Sequence, residues 1–174
     1  MNFNADRSII ESRGYIDKFT GITSTLKGDK LVAYYAMKSV LDNDGLETED
    51  VYFLNAKSGK LFKHQKLGNL GGSVELPENS GQFVVVHNHP NSAVFSLKDL
   101  ITVNAEHMIK TMIAAGHNGA VYFLSVDAGI RLDLSDEANC NFFERYRMRL
   151  CRKYGSQGAL VKIAEEMRWN FRVK

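Results

Sequence analysis

The sequence has little cysteine, no long apolar run and almost no net charge, and each shortage excludes a class of protein. Its two cysteines, Cys140 and Cys151, are not paired at a metal-binding spacing and are too few for a secreted disulfide scaffold, so they suit a reducing compartment. No stretch approaches the roughly 20 apolar residues of a membrane span. The opening MNFNADRSIIESRG lacks the apolar core flanked by basic residues of a secretory signal. These features predict a cytoplasmic protein with no membrane partner. The formal net charge is +2, too small by itself to imply nucleic acid as a partner. Charge is nonetheless uneven: from Asn139 to Lys174 there are nine Lys or Arg against three Glu. That stretch reads as helix, and the excess is assigned to a solvated helix face in preference to a phosphate-binding surface. Internal repeats and low-complexity segments are also missing.

What is present is an ordinary globular mix, 44% hydrophobic and 24% charged over 174 residues. A single domain spanning residues 1–174 can bury a core at that length without disulfides or a structural metal. Helices are expected from Asp6 to Tyr15 and from Gly28 to Asp42, the second because Leu31, Tyr34, Tyr35, Lys38 and Leu41 recur at near-helical spacing. Glu49 to Leu54 reads as a strand, Asn55 to Lys60 as a hairpin turn and Leu61 to Gln65 as the returning strand. Gly68 to Ser73 is loop by composition, and Val74 to Pro77 a short edge strand. Phe83 to Val86 is a run of four apolar residues, three of them β-branched, as expected of a strand buried on both faces in mid-sheet. A helix is expected to open at Ser96 and continue to Gly116. Ala120 to Val126 then reads as another buried strand, and Ile130 to Leu134 as its partner. Ser135 to Tyr154 and Gln157 to Trp169 complete the chain as helices split at Gly155, with Trp169 and Phe171 packing on the sheet. The order predicts the α/β class, a mixed sheet with flanking helices. Residues 49–126 form its core, with helical extensions over 1–44 and 135–174 packed on it.

His87-Asn88-His89-Pro90 follows the buried strand directly. Strand side chains alternate with a period of two, so His87 and His89 face one side and can share one ion. A catalytic zinc takes three protein ligands and keeps an open position for water, and imidazole with carboxylate suits it. Asp99 is the candidate third ligand, because a short loop into a helix start returns its carboxylate toward the strand end. The same residue also reads as the first-turn acid of a helix capped by Ser96. Alternating histidines likewise serve in many strands only to satisfy hydrogen bonds. What argues for a metal is the combination of buried strand, His-Asn-His-Pro and Ser-x-x-Asp. His64, His107 and His117 read as surface or packing histidines.

VVVHNHPNSAVFSLKDL resembles the JAMM motif of the JAB/MPN metalloprotease superfamily: an upstream Glu, His-x-His-Pro, a spacer and Ser-x-x-Asp. The His-Asn-His-Pro form is that of the bacterial branch, including RadC-like proteins. A closer similarity, extending back through ETEDVYFLNAKSGK, is to JAB-like domains of phage head-associated proteins and bacterial toxin systems. The resemblance implies a cytidine-deaminase-like three-layer fold and a zinc ion on His87, His89 and Asp99. It further implies that Ser96 supports the water or the oxyanion, and that a Glu just before the preceding strand acts as base. Glu49 occupies that place, with Glu47 in reserve. One departure is visible: the usual spacer has seven residues, whereas Pro90 to Phe95 supplies six.

The function implied is zinc-dependent hydrolysis of a peptide or isopeptide bond in a bacterial or phage-infected cell. Zinc lowers the pKa of its water from about 16 to near 7. Glu49 accepts the proton as a carbonyl is attacked, then returns it to the leaving amine. Two other readings stay open. One is a non-catalytic JAB-like assembly module with phage head or toxin-system partners, which the short spacer favours. The weaker one is nucleic-acid binding through the basic C-terminal helices.

Overall fold

A computed structural model of the chain describes residues 3–68, 81–127 and 129–174. The expected loop from Asn69 to Ser73 and the edge strand from Val74 to Pro77 lie outside them. Among the described residues six strands form one mixed sheet: β1 (Glu49–Asn55), β2 (Leu61–Leu67), β3 (Phe83–His89), β4 (Ile109–Gly116), β5 (Val121–Ser125) and β6 (Asn170–Val173), in the order β2-β1-β3-β4-β5-β6. The β3–β4 pair is parallel and the other pairs are antiparallel. All seven residues of β3 are buried, as its apolar run requires of a strand covered on both faces.

Helices cover each face of the sheet. On one side lie α1 (Arg7–Ile10), α2 (Arg13–Asp17) and α3 (Leu26–Leu41). Val32, Ala36 and Val40 of α3 pack there against Tyr52, Val84 and Val86. On the other side lie α4 (Leu97–Ala105) and α5 (Glu137–Met167). There Leu100, Val103 and Ile163 meet Phe53, Val85 and Met112. Each large apolar side chain so buried contributes about 1.5–3 kcal/mol. Thr25 caps α3 by accepting the Gly28 N–H at 2.9 Å. The start of that helix lies against the β1–β2 turn, where a Cβ on Gly59 (φ 66°) would come within 2.3 Å of the Gly28 carbonyl.

Several sequence expectations are corrected. The first helix is two short ones, because Ser12 leaves helical geometry and caps α2. The helix expected to reach Gly116 ends at Ala105, and Ile109 to Gly116 is a strand. A short apolar run containing alanines has no decisive period. Its conformation is decided by β3, which supplies a full parallel ladder from Phe83 to His89. Strand, helix and parallel strand thus form a βαβ unit, β3–α4–β4. Ile130 to Leu134 does not pair with β5. It runs beside α4, where Asn104 bonds the Leu132 N–H and carbonyl at 2.9 and 2.7 Å and Arg131 donates to the Val103 and Asn104 carbonyls. The edge of β5 is taken by β6, so the C-terminal extension is not wholly helical. The split at Gly155 is present as a kink (φ 72°, ψ 171°) inside α5. Trp169 is buried and donates its indole N–H to the Ile130 carbonyl at 2.8 Å. Among the described residues no helix is long and apolar enough to cross a membrane.

The N-terminal segment is tied down by a buried histidine. His117 Nδ1 donates to the Phe3 carbonyl at 2.6 Å, and its carbonyl accepts the Asp6 N–H at 2.7 Å. Burial lowers the pKa of His117 from the ordinary 6.5. As pH falls through about 6.5 the unfolded chain gains a proton that the folded chain resists. This residue therefore supports the fold fully above that pH and withdraws support below it. Urea unfolding of wild type and His117→Gln at pH 7.5 and 5.5 should show a steeper acid loss in the wild type. Equal losses would remove His117 as the cause.

Candidate metal centre

The chain places two imidazoles at the C-terminal end of β3 and a carboxylate in the first turn of α4. His87 Nε2 and His89 Nε2 stand 2.9 Å apart, and each lies 3.5 Å from an oxygen of Asp99. These three side chains are grouped closely enough to hold one metal ion. Zinc bonds of about 2.0–2.2 Å in tetrahedral array would set ligand atoms about 3.3 Å apart. The observed spacing brackets that value, so the donor set fits. Both histidines are buried, while Asp99 keeps 19% of its side chain open to solvent. The six-residue spacer is therefore long enough to bring Asp99 to both imidazoles.

The loop after β3 orients the imidazoles. His89 Nδ1 lies 2.7 Å from the Ala93 carbonyl, which can only accept, so Nδ1 carries a proton and the neutral imidazole presents a lone pair on Nε2. Ser92 adopts a left-handed conformation (φ 56°). It closes the turn with its N–H on the His89 carbonyl at 2.9 Å. Across the sheet the histidines are opposed by small residues, Ala114 beside His87 and Gly116 beside His89. That register leaves room for imidazoles on the crowded central strands.

Ser96 and Asp99 form a capping box at the start of α4. The Ser96 hydroxyl and N–H both lie 2.7 Å from Asp99 Oδ2, and the Asp99 N–H returns to Ser96 Oγ at 3.2 Å. Asp99 is thus both the first-turn acid and the third member of the cluster, and the two sequence readings are compatible. Burial would raise the Asp99 pKa, but His87 and His89 hold the carboxyl well below the usual carboxylate range. Burial likewise opposes charge on His89, yet its hydrogen bond to Asp99 and the charges of Asp99 and Glu49 raise its pKa.

Glu49 opens β1 and lines two clefts, one of about 220 Å³ shared with His87, Ser96 and Asp99, the other of about 270 Å³ shared with His89 and Ser96. Glu47 is exposed, precedes the strand and lines neither. The first cleft continues into an apolar floor of Val51, Phe53, Val85 and Met112. His64, His107 and His117 take no part in the cluster. His64 stacks on Tyr52 with ring centroids 4.4 Å apart and bonds Asp50 at 2.9 Å. His107 is exposed in the turn after α4.

Asn88 is a residue that sequence reasoning passed over. It lies between the two histidines and faces the other side of the sheet. Its Oδ1 accepts the Asp50 N–H at 2.8 Å, and its Nδ2 donates to the Thr48 carbonyl at 2.9 Å. Asn88 therefore clamps the backbone on each side of Glu49 while its neighbours supply the imidazoles. The signal was the period of two itself, which sends Asn88 away from the face that carries the imidazoles. Comparison of the chain with family models, curated proteins and solved structures finds no match.

Asn88→Ala leaves a buried N–H and a carbonyl without their partner, at about 1–3 kcal/mol for each group. The expected result is a drop in the urea midpoint at unchanged m-value. A variant as stable as wild type would show that the clamp contributes nothing.

Proposed function

We propose that the protein is a zinc-dependent hydrolase of JAMM type with a JAB/MPN-like fold, acting on a peptide or isopeptide bond. The observation that carries this reading is the convergence of His87, His89 and Asp99 within ligand distance of one another beside a cleft lined by Glu49. The strand–helix–strand unit that delivers them and the helices on both faces of the sheet support the fold assignment. A zinc ion held there supplies an acidified water and a Lewis acid at neutral pH.

The chain's own groups account for the remaining steps. Asp99, held ionised, and the His89 lone pair form the cation-binding edge of the site. Glu49 accepts a proton from the attacking water and passes it to the leaving amine nitrogen. The apolar floor formed by Phe53, Val85 and Met112 lies beside the reacting groups and limits water there. Ser96 serves chiefly to orient Asp99, since both its hydroxyl and its N–H are directed to that carboxylate.

That engagement of Ser96 also favours the second reading, a JAB-like assembly module of a phage or toxin system that binds metal without turnover. In it no hydroxyl is left over for an oxyanion. Turnover by the zinc-loaded protein separates the two.

Protein purified with zinc present should hold one equivalent, and His87→Ala or Asp99→Ala should lose it; wild type that stays metal-free under these conditions overturns the metal site. Glu49→Gln should keep the zinc and lower cleavage of peptide and isopeptide substrates by about 10²- to 10⁴-fold. Zinc retention with no cleavage by wild type of any such substrate would leave the assembly reading. In Ser96→Ala, zinc affinity should fall by about 10- to 100-fold through loss of the group orienting Asp99. Unchanged affinity would show that the capping box does not tune the ligand.

A further inference from the structure

The cleft of about 270 Å³ that reaches Glu49 and His89 is closed on its far side by α5, which contributes Arg147 and Ser156. Arg147 lies on the helix face that turns inward, between Phe143 one turn before it and Leu150 one turn after, both packed into the core. An unpaired cation is seldom found on such a face. Its Nε is buried and has no hydrogen-bond partner, and the guanidinium makes no ion pair with any described residue. Arg145, by contrast, is exposed and bonds the Asn141 carbonyl of its own helix at 3.2 Å. A guanidinium has five donors and no acceptor, so a buried Nε–H can be satisfied only by an acceptor brought to it. Glu49 lines the same cleft without pairing with Arg147, which gives the cleft a basic end and, beside His89, an acidic one.

We propose that Arg147 is a substrate-binding residue that takes a carboxylate carried close to the scissile amide, so the preferred substrates are acidic peptides. The inference rests on the hydrolytic reading of the site and narrows its substrate class. A carboxylate can meet the Nε–H and one terminal N–H of the guanidinium side-on, which satisfies the buried donor and fixes the ligand's orientation. Asn91 and Ser156 line the same space and offer further polar groups to the ligand. At about 270 Å³ the cleft falls just below the roughly 300–1,000 Å³ of small-molecule pockets, which suits one or two residues of a chain. The carboxylate has two sources, an acidic side chain or a free C-terminus, and both present the same two oxygens. The kink at Gly155 gives this arrangement its shape, since Ser156 begins the second helical segment of α5.

The test measures binding of three acetylated dipeptides by calorimetry, to wild type, Arg147→Gln and Arg147→Lys, each zinc-loaded and metal-free. The peptides are an alanyl-glutamate amide, an alanyl-glutamine amide, and alanyl-glutamine with a free terminal carboxylate. Wild type should bind at least one acidic peptide about tenfold more tightly than the neutral amide, with or without zinc. The tighter of the two acids identifies the source of the carboxylate. In Arg147→Gln the preference should fall to about one, with affinity for the neutral peptide unchanged, and Arg147→Lys should keep part of it. Equal binding of all three peptides by wild type, a preference that survives in Arg147→Gln, or one seen only with zinc would overturn the proposal. Cleavage of the same peptides is followed in parallel on the zinc-loaded samples. A preference lost with Arg147 but no cleavage would uphold the carboxylate site and remove the hydrolase reading alone.

Discussion

β3 runs through the middle of the sheet, buried along its whole length, and its period of two divides the work of the protein between the two faces. Val85, His87 and His89 fall on the side of α4 and α5, while Val84, Val86 and Asn88 fall on the side of α3. A slip of one residue against β1 or β4 would exchange the two sets. The imidazoles would then meet α3, and Asn88 would stand beside Asp99 in their place. Packing on both faces makes that exchange costly, so the geometry of the histidines follows from the apolar residues before them.

The polar groups on the two faces are joined through the backbone of β1. Asn88 holds the amide of Asp50 and the carbonyl of Thr48, so the residue between them, Glu49, is presented on the opposite face beside the imidazoles. Asp50 is itself buried and fully engaged, with Asn43 and His64 each bonded to its carboxylate. Behind Asn88, His117 donates to the Phe3 carbonyl and so has a free lone pair on Nε2, which faces Asn88 Nδ2 at 3.3 Å. Asn43, Asp50, Asn88 and His117 are thus joined in one bonded network, as buried polar groups need if they are to stiffen rather than weaken a core, while the Tyr15 and Tyr52 hydroxyls elsewhere in the same layer have no partner.

On the other face the polar groups are complementary to one another but incomplete. Asp99 and two buried imidazoles gather lone pairs and negative charge around one point, and Arg147 stands across the cleft with a buried donor unmet. Buried polar groups in folded proteins are mostly satisfied, and an unmet donor facing a cleft is explained by a ligand, an ion or a water that completes it. The gathering of two buried imidazoles and a carboxylate beside a cleft that Glu49 also lines is the main physical reason for assigning function to the front.

Much of the centre of the fold could be read from local pattern. The apolar run at Phe83 to Val86 marks a central strand, the His-Asn-His spacing marks a shared side, and Ser96 with Asp99 marks a helix start; these are short-range properties of the chain. Gly155 as the break in α5 belongs with them, because its positive φ is a property of glycine itself. What local pattern could not decide was the fate of segments whose partners lie far along the chain. Ile109 to Gly116 is a strand because β3 offers it a ladder, and Ile130 to Leu134 is not one because Asn170 to Val173 holds the edge of β5. The distance from Asp99 to the imidazoles, the clamp of Asn88 on the flanks of Glu49 and the position of Arg147 across the cleft likewise arise only in the folded chain. Each depends on which strands are neighbours and in what register, and pairing over such separations is selected by burial of the whole sheet rather than by the residues that meet.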